Sequence, residues 1–336
     1  MVRRLSTPQL LSGLKAAGES TRLRLLALLA GGELNVKDLT RVLGQSQPRI
    51  SRHLKLLQEA GLIERSREGS WVYFRIAESG GPAELARSII GAVDGDDAII
   101  AGDRARASAV KSERAEAAQA YFRAHAAEWD RIRALHLAEE QVEAAIVEAM
   151  GEGPFNLLVD LGTGTGRILE LLGPGAKRGI GIDANRDMLA YARDKLERAG
   201  LSHCHVRQGD IFSIALPDGA ADAVVLHQVL HYLEDPANAL REAARILAPG
   251  GRLLVVDFAP HELEFLRDEH AHRRLGFPAQ QVSQWIADAG LKLSGHRDLA
   301  PGKGAGRKLT VSLWIGERAE ETLSARKSRG VLEAAR

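Results

Sequence analysis

Cysteine is almost absent from this chain of 336 residues, since Cys204 is its single thiol. One cysteine cannot form a disulfide within the chain, and such proteins are typical of reducing compartments, so we expect a cytoplasmic protein. The sequence also lacks any run of 18 uninterrupted apolar residues, which predicts that no segment spans a membrane. The leucine-rich beginning is interrupted by Glu19, Arg22 and Arg24, a pattern that favours amphipathic helices over a signal peptide.

Net charge is also nearly absent, at +1, so the overall balance indicates no partner. The distribution of charge is more informative, because residues 1–82 hold 13 lysines and arginines against 7 acidic residues. At 336 residues the chain is long enough for two domains that each bury a core. We therefore expect a basic N-terminal domain followed by a second domain.

A helix–turn–helix pattern occupies the middle of the basic region. A short helix, a GQSQ turn and a second helix, PRISRHLKLLQEAG, follow one another, and the apolar residues of the second helix share one face. Its other face carries Arg49, Arg52 and Lys55, as a helix that reads the DNA major groove requires. The next segment, LIERSREGSWVYFRIA, predicts two strands around a turn, a wing whose Arg67 can contact the phosphate backbone.

From about residue 156 short apolar runs alternate with helical stretches. Seven runs predict strands, namely NLLVDLG, RGIGID, HCHVRQGD, DAVVLHQ, GRLLVVDF, LKLSGHRD and LTVSLWIG. Strands that alternate with helices predict a mostly parallel sheet with helices on both faces, and we expect the last run to join at an edge. Between the two patterns, residues 83–118 predict a helical linker and dimerisation segment. The tail, 317–336, is polar and is expected to be flexible.

A glycine-rich loop follows the first of these strands. The segment VDLGTGTGRILELL places Asp160 at the strand end and then Gly162, Gly164 and Gly166 before a helix, which lets a ligand approach the backbone closely. This G-x-G-x-G spacing differs from the G-x-G-x-x-G of dinucleotide binding, and taken alone it also fits a merely tight turn. Asp183 ends the second strand, where a carboxylate can accept hydrogen bonds from both hydroxyls of a ribose.

Residues 120–316 resemble the class I S-adenosylmethionine-dependent methyltransferases. The resemblance rests on the glycine loop, Asp183, Gly209–Asp210, and the segments DAVVLHQVLHYLEDP and LAPGGRLLVVD, which occur in that family's order and spacing. It implies S-adenosylmethionine as the cofactor, with the glycines near its methionine portion, and it implies transfer of a methyl group to an acceptor. The cofactor-binding residues predicted in this way are Asp160, Gly162, Gly164, Gly166, Asp183, Asp210, Ile211 and His227.

The same resemblance implies that the segment with Tyr121 and Trp129 forms a helix that folds over the cofactor. The alternative for these aromatic side chains is packing between domains. The acceptor is not identified by the sequence, although a small molecule is expected. Scarcity of cysteine argues against arsenite, because enzymes that methylate arsenite use several thiols.

The N-terminal 80 residues resemble the ArsR-type winged-helix regulators through ELNVKDL, SQPRISRHLKLLQEAGLIE and REGSWVYFRI. The resemblance implies a transcriptional regulator that binds double-stranded operator DNA as a homodimer. Members that bind arsenite carry Cys-Val-Cys where this chain has Asn35-Val36-Lys37, so no soft-metal site is expected there. The residues expected near DNA are Gln45, Ser46, Gln47, Arg49, Arg52, His53, Lys55 and Arg67.

Histidines are concentrated in two stretches of the second domain. His227 and His231 are four residues apart and would share one face of a helix, as a base and its orienter or two metal ligands would. His261, His270 and His272 lie in HELEFLRDEHAHRRLGF. His231 and His261 are the candidates for catalytic proton acceptors, and the alternatives for these histidines are metal ligation or a solvated helix. No metal site is assigned.

These patterns predict an α+β winged helix-turn-helix domain at 1–82, the linker at 83–118, and an α/β Rossmann-like methyltransferase domain at 119–316, before the flexible tail 317–336. The predicted function is a DNA-binding transcriptional regulator that also transfers a methyl group from S-adenosylmethionine. One alternative is a catalytically silent fold that senses S-adenosylmethionine and S-adenosylhomocysteine and thereby controls DNA binding. Another is a small-molecule methyltransferase whose winged helix serves dimerisation.

Overall fold

The chain folds into two compact units, Met1–Ala117 and Ala118–Arg336, and each unit buries apolar core residues of its own. The computed structural model describes residues 5–68, 71–77, 80–129, 139–151, 153–301 and 309–320. No helix in these described ranges is long and apolar enough to cross a membrane.

The first unit has the predicted helix–turn–helix and wing. Its described elements are α1 (Thr7–Ala17), α2 (Ser20–Leu29), β1 (Leu34–Asn35), α3 (Val36–Leu43), α4 (Gln47–Glu59), β2 (Ile63–Glu68), β3 (Trp71–Ile76), α5 (Gly81–Gly91) and α6 (Ala98–His125), of which residues 98–117 belong to this unit. The antiparallel sheet has the order β1-β3-β2, and β1 was not predicted from the sequence.

Asn35, which occupies a position where arsenite-binding relatives carry a thiol, has a role in folding. Its backbone pairs with Tyr73 in the sheet, and its buried side chain accepts a hydrogen bond of 2.9 Å from the backbone N–H of Asp38. Such a bond satisfies one of the free donors at the start of a helix, here α3. The residue therefore joins β1 to α3.

The second helix of the motif, α4, separates an apolar face from a basic one. Ile50, Leu54 and Leu57 are completely buried, whereas Arg49 and Arg52 are exposed. Burial of these three side chains is the main force that holds the helix on the unit, since each contributes about 1.5–3 kcal/mol of transfer free energy. The exposed face is left available to a partner.

The first half of α6 is fastened to the winged-helix core. Asp103, with 1% of its surface exposed, accepts two hydrogen bonds from the Arg24 guanidinium, at 2.6 and 2.7 Å, and one from Arg106. A buried carboxylate needs such partners, because an unpaired buried charge is strongly destabilising. Ile100, Ala107 and Val110 are also buried, and the last two belong to the same core cluster as α2 and α4.

The second unit is an α/β fold. Besides the end of α6, its described elements are α7 (Glu139–Met150), β4 (Leu158–Leu161), α8 (Arg167–Leu172), β5 (Gly179–Asp183), α9 (Arg186–Arg198), β6 (Cys204–Gln208), β7 (Ala221–His227), α10 (Pro236–Ile246), β8 (Leu247–Phe258), α11 (Phe265–His270), α12 (Ala279–Asp288), β9 (Lys292–Leu299) and β10 (Val311–Glu317). All seven predicted strands are confirmed.

The strands form one mostly parallel sheet in the order β6-β5-β4-β7-β8-β10-β9. Four neighbouring pairs, from β6 to β8, are parallel, whereas β10 pairs antiparallel with both β8 and β9. The expected edge position of the last strand is therefore wrong, because β10 lies between β8 and β9, and β9 forms the edge. A short strand rich in apolar residues gains more by burial on both sides than at an edge, and Trp314 of β10 is completely buried.

Neighbouring residues of the central strands point to opposite faces and enter two different cores. Leu158 and Val225 pack with α7 and α8, while Val159 and Val224 pack with α10 and α12. This alternation is the period of two that a strand imposes. Helices thus cover both faces of the sheet, as predicted. Polar side chains can lie together at the ends of the strands.

Replacing Leu54 with alanine is expected to destabilise the first unit by about 2–5 kcal/mol, because the side chain is completely buried and its loss leaves a cavity. Leu56 lies on the same helix with 40% of its surface exposed, so Leu56→Ala is the matched control and is expected to change the free energy of unfolding by about 0.5 kcal/mol or less. Urea unfolding of the full chain, followed by circular dichroism, measures both. Equal losses would contradict the described orientation of α4.

Candidate functional site

The loop after β4 requires glycine at each of its three glycine positions. Gly162, Gly164 and Gly166 have φ angles of 73°, 52° and 82°, in the left-handed region that favours glycine. A Cβ atom at Gly162 would lie 2.4 Å from a methyl group of Val229, and one at Gly166 would lie 3.1 Å from Cβ of Ala192. The backbone of the loop is therefore closely packed at Gly162 and Gly166, where side chains would not fit.

Asp160 holds this loop from within the fold. Its carboxylate is buried and accepts a hydrogen bond of 2.6 Å from the hydroxyl of Thr163. Thr163 in turn lies over Gly181 of the neighbouring strand, where a Cβ atom would come within 2.6 Å of the hydroxyl oxygen. The carboxylate thus fixes the conformation of the loop through Thr163.

Asp183 connects the ends of β5 and β4. One carboxylate oxygen accepts a hydrogen bond of 2.9 Å from the backbone N–H of Gly164, and the other accepts one of 2.8 Å from Asn185. Burial raises the pKa of the Asp183 carboxyl above its ordinary value, and these backbone hydrogen bonds oppose the shift. Each oxygen has a second lone pair, so the carboxylate can accept further hydrogen bonds from a ligand.

The remaining predicted cofactor residues follow the same edge of the sheet. Asp210 and Ile211 come directly after β6; Asp210 is exposed and accepts the backbone N–H of Phe212 at 2.9 Å, while Ile211 is half-buried. His227 ends β7 and is also half-buried. All eight predicted residues therefore lie at the carboxyl ends of four adjacent strands, β6, β5, β4 and β7.

This edge contains the point at which the strand order reverses. From β4 the chain continues outward through β5 and β6 on one side, and then returns to place β7 and β8 on the other side. In open α/β sheets ligands bind in the crevice outside the carboxyl ends of the strands at such a switch point. Here the crevice lies between the loop after β4 and the residues after β7.

A cleft opens beside the residues that follow β7. Its described lining is mostly aromatic or aliphatic and includes no Asp, Glu, Lys or Arg side chain: Tyr121, Trp129, Gln228, His231, Tyr232, Phe258, Leu266, His270, His272 and Leu309. Trp129 also borders the glycine loop, since a Cβ atom at Gly164 would lie 3.7 Å from its indole nitrogen. The cleft and the loop are therefore neighbours.

The segment predicted to cover the cofactor is only partly a helix. Tyr121 lies in α6, which ends at His125 and continues as a short 3₁₀ turn, Ala126–Glu128, before Trp129. The rings of Phe122 and Trp129 meet edge to face at 5.2 Å between centroids. Residues 130–136 of the predicted segment lie outside the described residues. Both predicted aromatic side chains line the cleft within the second unit.

His231 is a buried polar side chain of the cleft. It lies in a 3₁₀ turn, Leu230–Tyr232, with 1% of its surface exposed. Its Nδ1 is 2.8 Å from a carboxylate oxygen of Asp257, a completely buried residue of β8. Its Nε2 is buried and has no hydrogen-bond partner among the described residues.

The predicted sharing of a helix face by His227 and His231 is wrong. His227 ends β7, and His231 lies in the 3₁₀ turn after Gln228 and Val229, because the chain turns sharply there. Gln228 has a φ angle of 55°, which is uncommon for a residue with a side chain, and its amide nitrogen is buried without a partner among the described residues. The residue that orients His231 is Asp257 instead of His227.

The other three histidines lie close to this centre. His272 stacks on His231 with 4.2 Å between ring centroids. His270 Nδ1 is 2.7 Å from the Tyr121 hydroxyl. Burial raises the pKa of Tyr121 to about 12. Burial lowers the pKa of His261 to about 4. Within the described ranges, no group of three or more potential metal ligands is arranged to hold an ion.

Asp257 and Gln228 are two residues of this site that were not predicted from the sequence. A carboxylate inside an apolar strand, LLVVDF, needs a buried partner, and this signal could have indicated Asp257. Gln228 follows a buried strand directly, but neither its unusual backbone angle nor its burial has a signature in the sequence. His231 was predicted as a candidate, and the structure supplies its partner.

The predicted DNA-contacting residues differ in exposure. Ser46, Gln47, Arg49, Arg52 and Lys55 are exposed at the start and along one face of α4. Two predicted residues are turned toward the unit: Gln45 donates a hydrogen bond of 3.4 Å to the Thr21 hydroxyl, and His53 lies 3.4 Å from a carboxylate oxygen of Glu19. The side chain of Arg67 lies outside the described part of the structure.

Two family models match the chain. Residues 19–65 match the family described as bacterial regulatory protein, arsR family, and residues 159–255 match the methyltransferase domain. The first match covers α4 and most of the residues predicted to contact DNA. The second covers the strands from β4 to β8, and with them the glycine loop, Asp183 and His231.

Similar proteins match one region or the other. A demethylmenaquinone methyltransferase of Thermus thermophilus is 40% identical over 119 residues, which are 34% of this chain and 53% of that protein. The arsenical resistance operon repressor of Escherichia coli is 48% identical over 64 residues, 19% of this chain and 55% of the repressor. An uncharacterized 37.1 kDa protein in a transposon of Streptomyces fradiae is 32% identical over 168 residues, 46% of this chain and 48% of that protein.

This chain spans about half the length of these curated relatives. Among solved structures, one from the complex between the Haloferax volcanii Trm112 methyltransferase activator and the putative methyltransferase is similar in fold, with a TM-score of 0.50 and 23% identity. That match covers 59% of this chain and 98% of the other. The chain therefore contains a region similar to the arsR family of bacterial regulatory proteins, followed by a region similar to methyltransferase domains.

Proposed function

We propose that this protein is a DNA-binding transcriptional regulator whose second unit binds S-adenosylmethionine and transfers its methyl group to a small-molecule acceptor. The observation that carries the proposal is the loop with three glycines beside Asp183, at the switch point of the sheet. A backbone without side chains permits close approach of a ligand, and a strand-end carboxylate accepts hydrogen bonds from ribose hydroxyls. The match to the methyltransferase domain covers this same part of the chain.

The residues present fit the cofactor. Gly162, Gly164 and Gly166 would border its methionine portion, Asp183 would accept the ribose hydroxyls, and Asp210 with Ile211 would border the adenine. Asp183 is suited to this role because Gly164 and Asn185 already orient its carboxylate. An oriented acceptor loses less conformational freedom when it binds a ligand.

Bound S-adenosylmethionine supplies a methyl group on a positively charged sulfur, which makes it a good donor without further activation. The chain therefore has to bind the acceptor, align it and keep water away. Tyr121, Trp129 and Tyr232 exclude water from the cleft by their apolar surfaces. The buried amide nitrogen of Gln228 is a hydrogen-bond donor without an acceptor among the described residues, and a bound ligand can supply that acceptor.

The exposed basic face of α4 supports binding to double-stranded DNA. Arg49 and Arg52 extend from the second helix of a helix–turn–helix motif, which is the helix that enters the major groove in such proteins. Relatives of this region are named as regulators of arsenical resistance, but Asn35 here caps a helix and is no thiol. The cytoplasmic location stays a prediction from the sequence.

The proposed regulator acts as a homodimer. Helix α1 carries three leucines, Leu10, Leu11 and Leu14, with 39–49% of their surfaces exposed, and Ile99 of α6 is 59% exposed. Exposed apolar side chains grouped on one helix are typical of a surface that another chain covers. A second copy of this chain provides that cover and places two recognition helices on a two-fold symmetric operator.

A sensor of S-adenosylmethionine and S-adenosylhomocysteine is the alternative function. It uses the same cofactor residues and differs from the proposal in two measurable respects. It transfers no methyl group, and its affinity for DNA depends on which ligand is bound, because a ligand shifts an equilibrium only by its differential affinity for two states.

Replacing Asp183 with asparagine is expected to weaken S-adenosylmethionine binding about tenfold or more, because hydrogen bonds to a charged acceptor contribute about 1.5–3 kcal/mol. Asp194 is exposed on α9, so Asp194→Asn is the matched control and is expected to leave the affinity unchanged. Calorimetric titration of the full chain measures both. Unchanged affinity in the Asp183 variant would contradict the proposed ribose site.

Removing Arg49 and Arg52 together by alanine substitution is expected to weaken binding of the chain's own promoter DNA at least about tenfold, since one base contact is worth about 1–3 kcal/mol. Arg193, which is exposed on α9, provides the control Arg193→Ala. Fluorescence anisotropy at one fixed salt concentration measures the affinity, because salt alone shifts it greatly. Repeating the titration with saturating S-adenosylmethionine or S-adenosylhomocysteine tests the sensor function, which requires different affinities.

Introducing two charges on α1, by Leu11→Glu with Leu14→Glu, is expected to convert the dimer into a monomer, because a charge buried in an interface is costly without a partner. The control is Leu56→Glu, a leucine of α4 with comparable exposure, 40% against 45% for Leu14. Sedimentation equilibrium gives the mass of each variant. A dimer that persists in the α1 variant would contradict the proposal that α1 forms the dimer interface.

A further inference from the structure

The imidazole of His231 is held in one tautomer. Its Nδ1 is 2.8 Å from one oxygen of Asp257, which also accepts the backbone N–H of Phe258 at 2.8 Å, and the other oxygen accepts the backbone N–H of His231 at 3.3 Å. A carboxylate can only accept hydrogen bonds, so Nδ1 carries the proton. Nε2 therefore presents a lone pair.

This lone pair is on a side chain that lines the cleft. Nε2 is buried, it has no partner among the described residues, and His231 is one of the lining side chains. A buried acceptor without a hydrogen-bond donor costs about 1–3 kcal/mol. A ligand that donates a hydrogen bond here removes this cost.

The other lining residues of the cleft indicate which kind of molecule can carry this hydrogen-bond donor. The described lining offers the faces and edges of Tyr121, Trp129, Tyr232 and Phe258, and it has no acidic, lysine or arginine side chain that could neutralise a charged group. Aromatic walls favour a flat aromatic molecule through edge-to-face and offset contacts.

The orientation of His231 as a base also indicates which hydrogen-bonding group the ligand carries. An amine nitrogen attacks through its own lone pair and can lose its proton afterwards, so it does not require a base in contact. A hydroxyl oxygen is a poor nucleophile until its proton is removed, and a positioned base then contributes to the rate. Phenols lose this proton far more easily than alkyl alcohols do.

We infer that the cleft binds a neutral aromatic molecule through its phenolic hydroxyl and that His231 accepts the hydroxyl proton. In this step the O–H bond breaks, its electron pair stays on oxygen, and the proton forms a bond to Nε2. The resulting phenolate is the nucleophile for methyl transfer, so this inference rests on the function proposed above. Asp257 is the positioning residue, because it holds the imidazole and balances the charge that His231 gains.

The ionisable groups around His231 are compatible with this charge. Burial lowers the pKa of His261 to about 4, so His261 is neutral near pH 7 and does not repel a protonated His231. Tyr232 and His272 also face the imidazole, and burial raises the pKa of Tyr232 well above its ordinary value, so its hydroxyl stays neutral. Asp257 is the one carboxylate in hydrogen-bond contact with His231 within the described part of the chain.

Binding of 4-nitrophenol to the full chain tests the inference, because its absorption reports ionisation directly. We expect the bound dye to show the red-shifted phenolate band at pH 6, where the free dye is mostly neutral. His231→Gln is expected to bind the dye within about threefold of the native affinity while the phenolate band disappears. Asp257→Asn is expected to lower the phenolate fraction, and His205→Gln, an exposed histidine of β6, is the control with no change.

A bound dye that stays neutral in the native protein, or an unchanged phenolate band in His231→Gln, would overturn the assignment of the base. Failure of both 4-nitrophenol and 2-naphthol to bind would overturn the substrate class. Titration of S-adenosylmethionine on the same samples separates this inference from the proposed function, since ionisation of the dye needs no cofactor.

Nitrogen-15 shifts of the native protein provide a second test that no variant can confound by misfolding. We expect His231 to be protonated at Nδ1 and unprotonated at Nε2 before the dye binds, and to be protonated at both afterwards. Protonation at Nε2 in the absence of the dye would contradict the inference.

Discussion

A carboxylate that is buried in a protein must be hydrogen-bonded, and this constraint shapes the carboxyl edge of the parallel sheet. Asp160 is satisfied by the Thr163 hydroxyl, Asp183 by backbone N–H groups of Gly164 and Asn185, and Asp257 by His231. Each of these partners lies in the segment that follows a strand. Satisfying the carboxylates therefore fixes the loops, and the loops are the part of the fold that meets a ligand.

The same constraint links folding to function in two ways. A loop that is fixed before a ligand arrives loses little conformational freedom on binding, which leaves more of the interaction energy for affinity. Where a polar atom stays unsatisfied, as Nε2 of His231 does among the described residues, the fold retains a cost that a ligand can remove. In the first unit, Asp103 is satisfied by Arg24 and Arg106, and that cluster holds α6 in place.

Much of this architecture could be predicted from the sequence because it depends on local patterns. The strands of the second unit are short apolar runs bounded by turns, and α4 shows its two faces directly in the spacing of Ile50, Leu54 and Leu57. The position of β10 could not be predicted, because pairing between distant strands leaves no local signal. The pair His231–Asp257 joins residues 26 positions apart, so its geometry became visible only in the fold.

A crystal structure of the full chain grown with saturating S-adenosylhomocysteine is the most direct test of the proposed cofactor site. We expect the ligand to occupy the crevice between the loop after β4 and the residues after β7, with its ribose hydroxyls on Asp183 and its sulfur toward the aromatic cleft. A ligand bound elsewhere, or a crevice free of ligand at saturation, would contradict the assignment of this edge as the functional site.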